Sequence, residues 1–252
     1  MHSVVNIHGQ SYKADLHHPI DCSIPLVPNT MGPNCFYAPM PEASPLKSGA
    51  FVGSLEAGAA VNFYNLTINP HGNGTHTECL GHVYPGQHYI GTYLKQFFFP
   101  ALLVSLYPEQ QESGDRVITL SNFRKVVAQE TLTDALLIRT LPNTEDKKTR
   151  IYSGSNPSYF EPELLTYLAS EGVLHLLTDL PSVDPEEDEG LLSAHKAFWK
   201  IPDAIRTEAT ISELLFIPEQ AKDGFYLLQM NVLNLHLDVS PSRPLIYKLQ
   251  AE

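Results

Sequence analysis

The segment HGNGTHTECLGH, residues 71–82, places His71, His76, His82 and Glu78 within one short stretch. Imidazole nitrogen and carboxylate oxygen suit Zn²⁺, Mn²⁺ or Fe²⁺, and a catalytic ion needs few enough protein ligands to leave a position for water. Water in such a position has a pKa of about 7, so it supplies hydroxide at neutral pH. Glycines at 72, 74 and 81 disfavour a regular helix and favour an irregular turn or a short strand. In an extended segment, alternation puts His76 and Glu78 on one side. An isolated histidine is usually a polar loop residue; the density here favours a metal site, while spacing alone names no reaction. Cys79, inside the segment, reads as a small buried side chain rather than a ligand or nucleophile.

Several elements must position this segment. The β-branched and aromatic run at 61–68 (VNFYNLTI) predicts a strand leading to Pro70. Strands are expected at 98–106, 135–141 and 173–178, with a helix N-capped by Ser121 through Gln129 and another over 161–171, which has Leu164, Leu165 and Leu168 on one face and Gly172 as its stop. That alternation is βαβ-like. It places DLPSVD, 179–184, after a strand end, where α/β sheets build ligand sites. The proline-rich first sixty residues predict strand and loop wrapping, and 224–249 reads as mainly β with a turn at 240–244.

At 252 residues, with 43% hydrophobic and 17% charged residues, the chain can bury a sizeable core. No repeat or low-complexity tract divides it, so one domain over 1–252 is expected; PEEDEG at 185–190 reads as a solvated loop. A net charge of −12 without a basic run argues against nucleic acid and anionic membranes and favours small-molecule or protein partners, with a small-molecule substrate expected. No apolar stretch approaches the length of a membrane span and no signal segment leads the chain, so a cytoplasmic protein is expected. Its three cysteines form no CxxC pair.

GTHTECLGH, 74–82, resembles the HxGTHxDxPxH pattern of the cyclase family of metal-dependent hydrolases, which includes bacterial kynurenine formamidase and isatin hydrolase. Glu78 stands at the Asp position and Leu80 at the Pro position. The family's leading histidine lies four residues before the His of GTH, a place held here by Gly72, and the nearest histidine is His71. IDCSIPL at 20–26 resembles the opening DLSxPI segment, and TDLPSVD at 178–184 the DxxSxD loop, with Asp179, Ser182 and Asp184 in place. Downstream come His195 and ISELL, 211–215, similar to the IEN-L segment that carries a metal-binding glutamate, here Glu213, after a gap longer than the usual one.

The resemblance implies a mixed α/β fold, a single domain with a β-rich core and flanking helices, assembled as a homo-oligomer. It implies a divalent metal, zinc or manganese, as one or two ions: His71, His76 and Glu78 on the first, Glu78, His195 and Glu213 on the second, and His82 as general base. The activity implied is amide hydrolysis, on an N-formyl aryl amine or a cyclic amide. Hydrolysis or dehydration of another small carbonyl compound, and non-catalytic metal or ligand binding, are the alternatives. A neutral imidazole with a pKa of about 6.5 can take a proton from water and return it to a leaving nitrogen. Exchanging Asp for Glu adds a methylene, which displaces the carboxylate by about an ångström, and a shifted His71 could offset that. Without the resemblance, His195 and Glu213 would read as solvent-facing charges. Asp179 and Asp184 would read as turn caps, and Trp199, Phe36 and Tyr37 as core or pocket aromatics.

Overall fold

The computed structural model describes residues 1–251. An 11-stranded mixed sheet runs in the order His2–Ile7, Gln10–Asp15, Leu245–Ala251, Gly224–Gln229, Phe98–Leu106, Ala135–Thr140, His175–Thr178, Thr210–Glu213, His76–Cys79, Val239–Pro241, with Ile20–Asp21 pairing beside Leu245–Ala251. Its centre, from Phe98–Leu106 to Thr210–Glu213, is parallel, and antiparallel strands flank it on both sides.

The parallel strands Phe98–Leu106, Ala135–Thr140 and His175–Thr178 carry consecutive apolar residues because both of their faces are covered. Leu102, Val104, Leu136, Ile138, Leu176 and Ile211 pack under the helices Leu120–Val126, Pro162–Ser170 and Ser193–Trp199, through Phe123, Leu164, Leu168, Phe198 and Trp199. The alternate residues Leu103, Leu137 and Leu177 face a second core with Ile90, Leu228, Met230 and Ile246. Each such buried leucine contributes about 1.5–3 kcal/mol, so the two cores fix the sheet as a rigid support. Among the described residues, no helix is long and apolar enough to cross a membrane.

Three expectations shift. The helix expected from Ser121 to Gln129 is Leu120–Val126, because Thr119 caps it: its Oγ1 accepts from the Asn122 amide at 3.0 Å. The helix stops at Val127, where a β-branched pair lowers helical preference, and a separate 3-10 turn follows at Gln129–Thr131. The strand expected over 61–68 shortens to Tyr64–Thr67 and pairs with Glu42–Pro45 outside the main sheet, exposed along its length. Its residue types favour extended backbone, but no core selects one of its faces. The turn expected at 240–244 overlaps a short strand, Val239–Pro241, which pairs with His76–Cys79. The strands at Phe98–Leu106 and Ala135–Thr140 and the helix Pro162–Ser170 fall where the residue pattern puts them, the last with Pro162 opening it and Gly172 in the left-handed region after it.

Candidate metal centre

His76–Cys79 is an extended strand between Thr210–Glu213 and Val239–Pro241. Alternation sends Thr77 and Cys79 away from His76 and Glu78: Thr77 Oγ1 meets Ser212 Oγ at 2.7 Å, and Cys79 enters the core on the other face. Burial pushes the Cys79 thiol up to about 11, which keeps it protonated and a poor nucleophile, and its place in the core on the far face keeps it away from the cluster. Glu213 lies opposite His76 across the antiparallel pair, and its Oε2 is 3.4 Å from His76 Nε2.

His195 arrives from the helix layer. The loop after His175–Thr178 carries Asp184, whose carboxylate accepts the amides of Ala194 and His195 at 2.7 and 3.0 Å and lies 2.5 Å from His195 Nδ1. Capping one short helix thus also orients its histidine, so that His195 Nε2 reaches Glu78 Oε1 at 2.9 Å and Glu213 Oε1 at 3.8 Å. Trp199, fully buried, stacks against the His195 ring with centroids 5.8 Å apart. Glu213 Oε1 also accepts the Val183 amide at 2.9 Å. His82, on the turn just after the strand, brings Nδ1 to 3.6 Å from Glu78 Oε2, and His71 Nδ1 lies 3.3 Å from the same oxygen. His71, His76, His82, Glu78, His195 and Glu213 therefore converge on one place.

The electrostatics follow from that convergence. Burial pushes the Glu78 carboxyl up, but the pull of His82, His195 and His71 outweighs it and holds the group well below its usual range. Burial pushes the His195 ring down, and Asp184, Glu78 and Glu213 reverse this, raising it to about 10. His71 is raised likewise to about 10, against burial, by Asp238 and Glu78. Two polar atoms of the cluster, His76 Nε2 and Glu78 Oε2, are buried and make no hydrogen bond, although charged groups lie 3.3–3.6 Å from them. A buried carboxylate oxygen and a buried imidazole nitrogen that both lack a hydrogen bond are costly unless something bonds to them. One donor atom each from His71, His76 and Glu78 lies within 4.8 Å of the others, as does one each from Glu78, His82 and His195. Nitrogen and carboxylate oxygen at that spacing fit a divalent ion.

The residue patterns miss Asp238. It precedes Val239–Pro241, and its Oδ2 lies 3.2 Å from His71 Nε2 and 3.7 Å from His82 Nδ1. The only signal was an acid between Leu237 and Val239 in a β-rich run. Asp179 takes no part in the cluster: it accepts from the Thr140 amide and hydroxyl and pairs with buried Lys147 at 2.7 Å. Phe36 and Tyr37 are exposed, next to Cys35, whose amide donates to the Gly72 carbonyl.

The Cyclase family model matches residues 14–185. The chain belongs to the cyclase family. A kynurenine formamidase of Bordetella petrii is 24% identical over 200 residues, spanning 78% of this chain and 85% of that one. Among solved structures, a predicted metal-dependent hydrolase from Bacillus stearothermophilus has a TM-score of 0.64 at 19% identity, covering 91% of this chain and 98% of that one. An isatin hydrolase bound to the product analogue thioisatinate has a TM-score of 0.63 at 14% identity, covering 93% of each chain. The cyclase match ends before His195 and Glu213, whereas these structural likenesses cover nearly the whole chain and share its mixed α/β fold.

Proposed function

We propose that the chain is a divalent-metal-dependent hydrolase that breaks the C–N bond of a small amide, an N-formyl aryl amine or a cyclic amide. The observation that carries this reading is the pair of buried ligand atoms that make no hydrogen bond, His76 Nε2 and Glu78 Oε2, ringed by further imidazoles and carboxylates. His71, His76 and Glu78 would hold a first ion, and Glu78, His195 and Glu213 a second where two bind; zinc and manganese suit these donors. The names of the Bordetella relative and of the isatin hydrolase support an amide of this class.

When bound, the ion supplies Lewis acidity, polarising the scissile carbonyl and lowering the pKa of a water in its open position to about 7. His82 takes the proton from the attacking water and returns it to the leaving nitrogen as the C–N bond breaks. Its Nδ1 lies 3.6 Å from Glu78 and 3.7 Å from Asp238, and its side chain is 27% exposed, so substrate can reach the ring. Asp184 holds the His195 ring in place, and Trp199 closes the space behind that ring to water.

Formate release from N-formyl aryl amines and ring opening of cyclic amides, followed in metal-stripped and reconstituted protein, test the reading. Metal-dependent turnover of one class is expected. Protein that holds its ion and turns over neither contradicts the amide assignment and favours a non-catalytic metal binder. Self-association belongs to the same reading: Phe51, Phe63, Tyr64 and Leu66 stand exposed on and beside the Glu42–Pro45 and Tyr64–Thr67 ribbon, an apolar surface that a second copy would cover. Light scattering should give a mass above the 28.0 kDa of one chain; a monomer contradicts this part.

A further inference from the structure

His71 presents to the cluster the opposite ring edge from His76 and His195, the other two histidines assigned to a metal; His82, the proposed base, likewise turns Nδ1 to Glu78. His76 turns Nε2 inward and has Nδ1 2.9 Å from the Gly74 carbonyl; His195 turns Nε2 to Glu78 and Nδ1 to Asp184. His71 instead brings Nδ1 to the Glu78 carboxylate at 3.3 Å and points Nε2 outward, to Asp238 Oδ2 at 3.2 Å.

The reason lies one residue further along. Gly72 occupies the place where the family pattern has its leading histidine, and a Cβ at that position would stand 2.3 Å from Ala38 Cβ and 3.0 Å from the Cys35 carbonyl oxygen. The 35–38 segment is held there by the Cys35 amide donating to the Gly72 carbonyl at 3.1 Å. No side chain fits at 72 without moving that backbone. The histidine therefore comes one residue earlier, from a different direction, and meets the cluster with its near nitrogen. Asp238 is well anchored to answer this: the Cys79 amide donates to its carbonyl at 2.8 Å, and Val239 pairs with Glu78, so Asp238 is tied to the strand that carries the cluster carboxylate.

We infer that Asp238 is a positioning residue that compensates for the displaced histidine: its carboxylate accepts the His71 Nε2–H and thereby fixes the tautomer whose lone pair sits on Nδ1, aimed at the metal position beside Glu78. A neutral imidazole carries a single N–H, so a carboxylate on one edge decides which nitrogen can ligate. Such carboxylate–histidine–metal arrangements tune both ring orientation and ligand basicity. The same oxygen is 3.7 Å from His82 Nδ1, a longer contact. The inference rests on the metal reading above, and it assigns this chain a ligating nitrogen, Nδ1 of His71, that the motif does not specify.

Zinc affinity, measured by competition with a chromogenic chelator, tests it in the wild type, Asp238→Ala, His71→Ala and the double variant. Asp238→Ala should weaken zinc binding about 10- to 100-fold, and should change nothing further once His71 is gone. Asp238→Asn, which keeps an acceptor oxygen in place, should lose less and guards against a folding defect in the alanine variant. In zinc-loaded protein with ¹⁵N-labelled histidine, His71 should be metallated at Nδ1 and protonated at Nε2, the reverse of His76. Equal zinc affinity in Asp238→Ala and the wild type, an equal loss with and without His71, or a His71 metallated at Nε2 overturns the inference. A wild type that takes up no zinc instead overturns the metal reading beneath it, and the two failures are distinct.

Discussion

Asp179 and Glu78 are both buried carboxylates near strand ends, and their surroundings differ in completeness. Asp179 accepts from the Thr140 amide, from its hydroxyl and from Lys147, which in turn donates to the Thr140 carbonyl at 2.7 Å. A cavity of about 490 Å³ lined by Arg116, Lys147, Arg150 and Tyr152 opens beside that pair, and it shares no side chain with the histidine cluster. There, every cation already has an anion or a carbonyl: Arg150 is paired with Asp146, and Arg116 donates to the Asn156 carbonyl. Glu78 accepts one imidazole on Oε1 and no hydrogen bond on Oε2, which His71 and His82 approach only at 3.3 and 3.6 Å, and His76 Nε2 likewise makes no hydrogen bond although Glu213 Oε2 lies 3.4 Å away. A complete buried ion pair needs nothing further; a buried carboxylate oxygen without a hydrogen bond calls for an explanation, and a bound cation is one that the neighbouring imidazoles suit. The cavity is roomy and chemically finished, whereas the cluster is tight and unfinished.

Substitutions on either side should separate the two. His82→Ala should keep its metal and lose about 10²- to 10⁴-fold in kcat, the range of general acid–base catalysis. Metal content and kcat measured on one preparation decide it: metal lost in parallel with activity would make His82 a ligand. Lys147→Ala should do the reverse. It strands the Asp179 charge, so denaturant unfolding should show a loss of about 3–5 kcal/mol, with no change in metal content per folded chain; loss of metal there would erase the distinction drawn between the regions.

The pH dependence sharpens the same contrast. A divalent ion needs neutral imidazoles, and His71 and His195 are both raised to about 10, so uptake must expel protons. Affinity should rise with pH through the neutral range, by at most about tenfold per unit for each proton expelled. The metal-free chain should behave oppositely. The raised histidines contribute stability that is complete below their unfolded pKa of about 6.5 and is lost as pH climbs towards 10. The depressed Glu78 contributes stability that is lost as pH falls below the ordinary carboxylate range. Thermal unfolding with and without metal across pH measures both signs. The smallest effect belongs to Cys79→Ala: metal affinity should stay within about twofold of the wild type, since the thiol lies on the far face of the strand.

What the sequence made legible follows from what each feature depends on. The parallel strands and the helix Pro162–Ser170 stood out because burial on two faces or one writes a continuous or 3.6-residue pattern into the residues themselves. The Tyr64–Thr67 ribbon shortened because strand propensity without a core sets no boundary. His76 and Glu78 were legible from local alternation. His195 and Glu213 had no local signal, since their burial depends on a helix cap at Asp184 and on a strand register across the sheet; only the family resemblance reached them. Asp238 escaped both routes, because its part depends on Gly72 being too crowded for a side chain, a fact of packing between distant segments.

The central claim is that the histidine–glutamate cluster holds a divalent ion through His76 and Glu78. Elemental analysis of purified, reconstituted wild type beside His76→Ala, with folding of both checked by circular dichroism, tests it most directly. The account predicts one or two equivalents of zinc or manganese per wild-type chain and a loss of that metal in the variant. Equal metal content in both, or none in either after reconstitution, would contradict it.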